Sequence, residues 1–424
     1  MRVSRKAAAG LMAAVCFMCN LAGVEARHHG DDADRTVVHT QEPAKKGPIR
    51  LLAKERMQAE QEKKQKKIVA QSVRNHGARP SLPQAMRMWP VESRDTGGTL
   101  LFSDSPEYVD RDGVLYRDTV KGEARILFYH LNHTNQPKKV AVVLEGQGKE
   151  TSVVHITRGG MSAPNTDYLT VGKRTQTEYF DRKMDEVLYV GSKRRRLLQQ
   201  AMGTTILQPG QLVYGVFDFT ASHPVKVSVV MCPADNEPCE FSRWAKVLPK
   251  DEQRLRGTFK GMDRIVRSAK PYDPAKDGAV YFPLGDNERD RYRTGVDATD
   301  GSTVTNYGNY GVLYRIEIPT AGKDWSQFYL SPLGGVYAGA MSVTRPDGLS
   351  DLLLTPRGRT YFGDSTPPET PAEEAARVRG FAEIKHTTEL ADLGAYQNGL
   401  PVRFEYSPPG ASNLPVNIIM MPGK

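Results

Sequence analysis

Histidine is scarce among the side chains that can do chemistry here. The 424-residue chain has nine, and beyond residue 80 only His130, His133, His155, His223 and His386 remain. His130 and His155 fall on predicted strands, where a cross-sheet meeting would make them ligands or bases; satisfied structural histidines are the alternative. The GxSxG, HExxH, GxxxxGK[ST] and GxGxxG patterns are absent from the sequence. Carboxylates offer more. Asp110–Arg111–Asp112–Gly113 resembles half of a calcium loop, and Asp297, Asp300 and Gly301 invite the same reading. Calcium needs six or more oxygens, so ordinary Asp/Gly turns are the simpler expectation. An enzyme acting on a polysaccharide would need a carboxylate pair assembled from distant segments, such as Asp286, Glu288 and Asp290 with Asp297.

Two stretches have binding chemistry. Residues 299–311 read TDGSTVTNYGNYG, and Tyr307, Asn309 and Tyr310 combine flat aromatic faces with adaptable amides. That combination suits sugars, while a tyrosine-bearing connection before a strand is the plain alternative. Lys193, Arg194, Arg195 and Arg196 form a dense basic cluster that can meet a phosphate or carboxylate polymer. A solvated helix face or a protease-sensitive loop would read the same way.

The first residues read as a secretory signal. Arg2, Arg5 and Lys6 precede an apolar stretch from Ala7 to Leu21, and Val24–Glu25–Ala26 fits a cut after Ala26. A mature chain starting Arg27–His28–His29 would offer a terminal amine, two backbone amides and the His29 imidazole. Those four nitrogens suit square-planar Cu(II) or Ni(II); a polar start that admits the processing enzyme is the alternative. No other cofactor is expected. Past the cut only Cys232 and Cys239 remain, bracketing a turn-like loop. In an oxidising compartment they are expected to form a disulfide, with two free thiols as the alternative.

The formal charge is +9. Removing Arg2, Arg5, Lys6 and Glu25 with the signal leaves +7. Residues 27–80 hold thirteen Lys/Arg and seven Asp/Glu, so the rest is nearly neutral. The basic character belongs to an arm, residues 27–93. It reads as a flexible or helical tether, or as an adhesive for an anionic surface through Lys63, Lys64, Lys66 and Lys67. Nucleic acid is disfavoured, because export is expected and residues 27–80 lack aromatic residues for stacking.

The elements that must position these residues are strands. Residues 401–422 and 215–233 both show apolar alternation around a Pro- or Ser-containing break, which predicts a hairpin in each. Phe217 and Phe404 align at an offset of 187, Val227 and Val416 at 189, Ile126 and Val312 at 186, and Val142 and Phe328 at 186. Gly159 aligns with Pro346 at 187. This predicts an internal duplication. The expected fold is mainly β: two tandem antiparallel β-sandwich domains, residues 94–250 and 272–424, each with a partly helical insertion. A connector with helical tendency, residues 251–271, joins them. Residues 371–381 carry early acids and later Arg, predicting a helix.

The segments YGVLYR (310–315), SPLGGVYAGA (331–340) and SPPGASNLPV (407–416) resemble pieces of exported bacterial proteins of uncharacterised function. Some of that group carry envelope-attachment repeats of the copper-amine-oxidase N-terminal type. The resemblance covers mainly the second domain. It brings no catalytic residue and no copper chemistry, and this chain has no such repeat. The functional expectation is a non-catalytic, exported envelope or extracellular binding or assembly protein. Its partner would be a glycan, an anionic surface polymer or another envelope protein.

Overall fold

A computed structural model describes residues 84–333, 335–356, 361–363, 371–384 and 390–423. The signal segment, the arm up to residue 83 and Arg27–His28–His29 lie outside the described residues. The described chain is mainly β.

Two long strands dominate the N-terminal lobe. Gly113–Asn132 runs antiparallel to Leu212–Pro233 along nearly its whole length. The ladder is interrupted between Ala221 and Val225, close to Gly122 at φ +82°. On one side of this break, residues 225–233 also pair with Lys138–Gly146, which pairs with Arg195–Leu197. On the other side, residues 215–221 pair with Ser152–Met161, which pairs with Lys183–Val190. Thr99–Ser103 lies parallel to residues 124–128, and Arg256–Lys260 lies antiparallel to Thr99–Ser103.

The C-terminal lobe has two six-stranded sheets. The first runs Glu92–Thr96, Asp263–Arg267, Leu313–Glu317, Arg403–Ser407, Gly339–Thr344, Ser350–Thr355. Its second and third strands are parallel and its other neighbours antiparallel. The second runs Phe381–Ile384, Gln84–Met88, Val280–Leu284, Val416–Pro422, Trp325–Pro332, Ala391–Gln397. Phe404 and Val343 from the first sheet share one buried cluster with Phe282, Phe328 and Ile418 from the second. Leu100, Phe102, Leu127 and Tyr129 of the N-terminal lobe join that cluster, while Leu101, Ile126 and Phe128 face a separate core inside their own lobe. Residues 126–131 are therefore covered on both faces. This is why they read as an almost unbroken apolar run instead of an alternation.

The helix Tyr168–Asp181 links the lobes. Asp167 caps it by accepting from the Thr170 N–H. Its buried side brings Gln176 Nε2 to Ser407 Oγ and, at 2.6 Å, to the Pro408 carbonyl. Lys173 Nζ donates to the Pro356 carbonyl at 2.5 Å. Gly172 packs so closely that a Cβ there would sit 2.2 Å from the Gly410 carbonyl oxygen.

Several expectations need correction. Neither predicted hairpin forms. Arg403–Ser407 belongs to the first C-terminal sheet and Val416–Pro422 to the second, while Leu212–Pro233 is one bent strand. The turn-forming residues between the apolar runs move the chain from one sheet to another instead of reversing it. Both runs thereby find two neighbours. The segment expected as a connector contains the strands Arg256–Lys260 and Asp263–Arg267. The second expected domain omits Gln84–Met88 and Glu92–Thr96, which pair into its sheets. Residues 183–190, which lie in the partly helical insertion expected for the first domain, form an outer strand. Helix Pro371–Val378 falls where its charge pattern places it.

Candidate functional site

The loop expected to bind glycans is mostly interior. Asn309 is buried at φ 59°. Its side-chain oxygen accepts from the Arg293 N–H at 2.8 Å, and its amide donates to the Arg291 carbonyl and the Tyr314 hydroxyl, both at 3.0 Å. Tyr310 is fully buried and stacked on Phe102 at 5.7 Å. Only Tyr307, 51% exposed, keeps an open face. The short Asn306–Asn309 turn folds inward because Asn306 and Asn309 satisfy backbone groups of their own loop and of residues 291–293. The aromatic face required for stacking a sugar is therefore absent at Tyr310.

The distant carboxylates are structural acceptors. Asp290 receives the Gly285 N–H at 2.7 Å and pairs with Arg264. Asp297 pairs with Arg256 at 2.9 Å and receives the Thr299 N–H. Asp286 receives three backbone N–H groups, from Glu288, Arg289 and Asp290. Asp110 is bridged by Arg111 and Asp112 by Lys138, each at close range. Among the described residues no three His, Cys, Asp or Glu side chains converge on a metal-sized site.

Cys232 and Cys239 are both free. Cys232 ends a strand inside the N-terminal core. Cys239 sits in the short helix Pro238–Phe241, started by Glu237 accepting from the Glu240 N–H at 2.9 Å. The loop is thus spent on a capped helical turn, and the two thiols do not come close enough to bridge. Burial pushes both thiols up to about 12. His130 and His155 do not meet. His130 is buried and bonded to Ser103 Oγ and the Pro106 carbonyl, each at 2.9 Å, and burial lowers its pKa to about 4. His155 pairs with Asp185 at 2.6 Å on the outer strand pair Ser152–Met161 and Lys183–Val190.

The basic cluster is a surface turn. Its backbone is pinned by the Lys193 N–H to the Gly146 carbonyl at 2.9 Å and by the Arg194 N–H to the Gly191 carbonyl. Lys193 takes φ 55°. Arg195 turns back to Glu145, which also holds Lys226 at 3.0 Å. Lys193, Arg194 and Arg196 are exposed and have no ion pair among the described residues. This turn follows directly on Lys183–Val190. That strand and its partner face water with Val153 (39% exposed), Val187 (46%) and Tyr189 (67%). Val153 lies opposite Tyr189 and His155 opposite Val187, so these four share one outer face.

Sequence reading missed a second group. Asp104, Glu107 and Asp251 gather at the end of Thr99–Ser103. Asp251 receives Ser105 Oγ at 2.8 Å and the Glu107 N–H at 2.9 Å. Burial, with the charges of Glu107 and Asp251, raises Asp104 well above the carboxylate range. Burial beside Asp251 raises Glu107 to about 7. The segment Ser103–Asp104–Ser105–Pro106–Glu107 looks like a plain turn in the sequence, since Asp251 and the tyrosines around it come from far along the chain.

No family model matches this chain, and no curated protein sequence matches it.

Proposed function

We propose that this is an exported, non-catalytic binding or assembly protein that docks an anionic glycan or similar surface polymer. Its contact surface is the outer strand pair Ser152–Met161 and Lys183–Val190 and the turn after it. One observation supports this most: three cations without an ion pair among the described residues, Lys193, Arg194 and Arg196, adjoin an exposed apolar face with Tyr189 at its edge. An acidic polysaccharide has the complementary chemistry. Its carboxylates or sulfates meet the cations, and a ring face lies on the tyrosine. The basic segment before residue 81 would add to the attraction, and the signal-like first residues support export. A non-catalytic role fits the structural employment of Asp286, Asp290 and Asp297.

The same reading includes a duplicated architecture. Its support is the order of strands. In the N-terminal lobe, Arg256–Lys260, Thr99–Ser103, Gly113–Asn132, Leu212–Pro233, Ser152–Met161 and Lys183–Val190 are successive neighbours, with one parallel pairing in second place. The first C-terminal sheet has the same succession of pairing senses. The alignment differs from the one expected. Phe217 faces Ile126 and Gly159, whereas Phe404 faces Ile316 and Val343. Structural counterparts are thus Ile126 with Ile316, at 190, and Gly159 with Val343, at 184.

The test is binding of the full mature chain to polygalacturonate, with neutral dextran as control. Each exposed cation at an anionic surface is worth about 1 kcal/mol. Replacing Lys193, Arg194 and Arg196 together by Ser should therefore weaken binding roughly 100-fold. Tyr189→Ala should weaken it further. Unchanged affinity in the triple variant would place any binding on the arm and end the proposal for this turn.

A further inference from the structure

The carboxyl group at the end of Thr99–Ser103 lacks a counterion. Asp104 is 5% exposed, and its Oδ1 has no hydrogen-bond partner among the described residues. Neither Asp104, Glu107 nor Asp251 has an ion pair there. The neighbouring imidazole, His130, stays neutral because burial lowers its pKa. Arg256 approaches the loop only to donate to the Ser105 carbonyl at 3.3 Å and is committed to Asp297. A second buried group is also unsatisfied. Tyr310 is 0% exposed, and its hydroxyl has no partner among the described residues. Its ring stacks on Phe102, and Asp104 follows just past the end of that strand. The hydroxyl lies in the fields of Asp104, Tyr129 and Glu107. Tyr129 packs against Tyr214 at 5.8 Å in the same cluster. Buried polar groups are nearly always satisfied, so two orphans facing one region point to a missing partner.

We propose that Asp104, Glu107, Tyr129 and Tyr310 hold the primary ammonium group of a ligand. An ammonium carries three N–H donors. Asp104, Glu107 and the Tyr310 hydroxyl supply three acceptors for them. The Tyr129 ring adds an electron-rich face of the kind that attracts desolvated cations. A divalent metal is the poorer fit, because three metal-ligating side chains do not converge here. The ligand's remainder leaves past half-buried Glu107 and exposed Tyr108, whose ring stands edge-on to His133 at 5.7 Å. This site is independent of the cationic turn and asks for the opposite charge.

The experiment is thermal unfolding and calorimetric titration of the full mature chain at neutral pH. The probes are n-butylamine, n-butanol as the uncharged counterpart, and calcium chloride. Butylamine should raise the Tm saturably, with the shift growing as the logarithm of its concentration, while butanol does nothing. Asp104→Asn should weaken the amine at least tenfold. Tyr310→Phe should weaken it several-fold while leaving the Tm without ligand unchanged, which separates lost binding from lost folding. The proposal fails if butylamine gives no saturable shift or if butanol matches it. It also fails if calcium alone protects, or if Asp104→Asn binds as well as the parent.

Discussion

Arg125 offers the sharpest test of how the lobes are joined. It is 1% exposed. Nε and Nη2 donate to Asp218 Oδ1 and Oδ2 at 2.6 and 2.7 Å, a two-pronged pair. Nη1 donates to the Met262 carbonyl at 2.8 Å and to the Gly311 carbonyl at 3.2 Å, both in segments that lead into the C-terminal lobe. Arg125→Met keeps most of the volume and removes all of these donors. Among the described residues Asp218 then keeps the Tyr179 hydroxyl, at 2.9 Å, in place of the guanidinium, and Asp263 loses its Arg125 contact at 3.5 Å. Removing one partner of a buried pair costs about 3–5 kcal/mol, because the other charge stays buried and uncompensated. With an unfolding entropy of about 2.1 cal/mol/K per residue, a body of roughly 340 residues loses about 4–7 °C of Tm. The control is Arg125→Met with Asp218→Asn, which neutralises the orphan yet leaves an acceptor for Tyr179. That double variant should recover at least about 2 kcal/mol relative to additive losses. Scanning calorimetry and urea unfolding followed by fluorescence supply the values. A loss below about 1 kcal/mol for Arg125→Met, or simple additivity in the double variant, would refute the reasoning.

Two further outcomes follow from the titratable groups. Glu107 has its pKa raised by burial and by Asp251 from an ordinary 4.5 to about 7. The folded state therefore holds this proton more tightly than the unfolded chain does. The stabilisation is complete below pH 4.5 and is lost as pH rises to about 7; after allowance for its partial exposure it amounts to roughly 2–3 kcal/mol. Glu107→Gln should flatten that part of the stability profile, and an unchanged slope would count against the assignment. Cys232 and Cys239, with thiols held up near 12 by burial, should resist iodoacetamide in the native protein. In denaturant without reductant both should alkylate fully; failure to label would reveal a bridge.

Much of the fold is legible in the sequence, for a definite reason. Strands flanked by neighbours on both sides, such as Trp325–Pro332 and Val416–Pro422, are apolar enough to announce themselves. Glu92–Thr96 is not, since ESRDT is an edge strand with four of its five residues exposed, and an edge needs no apolar face. A cluster of Pro, Gly and Ser says that a strand stops, but not whether the chain reverses or changes sheets. The candidate sites show the same limit. The basic cluster was visible because exposed charge depends little on tertiary structure. The interior position of Tyr310, and the orphaned carboxyl of Asp104 beside it, depend on which distant residues arrive. Asn–Tyr–Gly loops look alike whether they face water or a core.

Under the proposed duplication, the exchange of strands between the lobes would account for the drift of the sequence offset. Arg256–Lys260, which precedes the C-terminal lobe, pairs with Thr99–Ser103; Glu92–Thr96, which precedes the N-terminal lobe, pairs with Asp263–Arg267. The register is reciprocal. Thr258 faces Leu101 and Arg94 faces Ile265, so both strands shift by 164 between the lobes. The same holds one strand earlier. Gln84–Met88 runs parallel to Val280–Leu284, and Val247 bridges Val114 in parallel. On the same proposal, counterparts after residue 313 would be displaced by 184 to 190 instead. The segment between Leu284 and Leu313, with the strands Arg293–Val296 and Thr303–Asn306, interrupts what is a single strand, Gly113–Asn132, in the other lobe. The two crossing points touch. Gly97, at φ +75°, leaves no room for a Cβ, which would lie 2.5 Å from Asp263 Oδ2, and a Cβ on Gly98 would meet the Glu123 carbonyl oxygen at 2.0 Å. Arg264 and Arg293 both reach Asp95 at 2.7 Å across the same crossing. Each lobe therefore completes a sheet with a strand that crosses over from the other side. The smallest piece with every strand paired is the whole span from Gln84 onward, and neither half has a full complement of neighbours by itself.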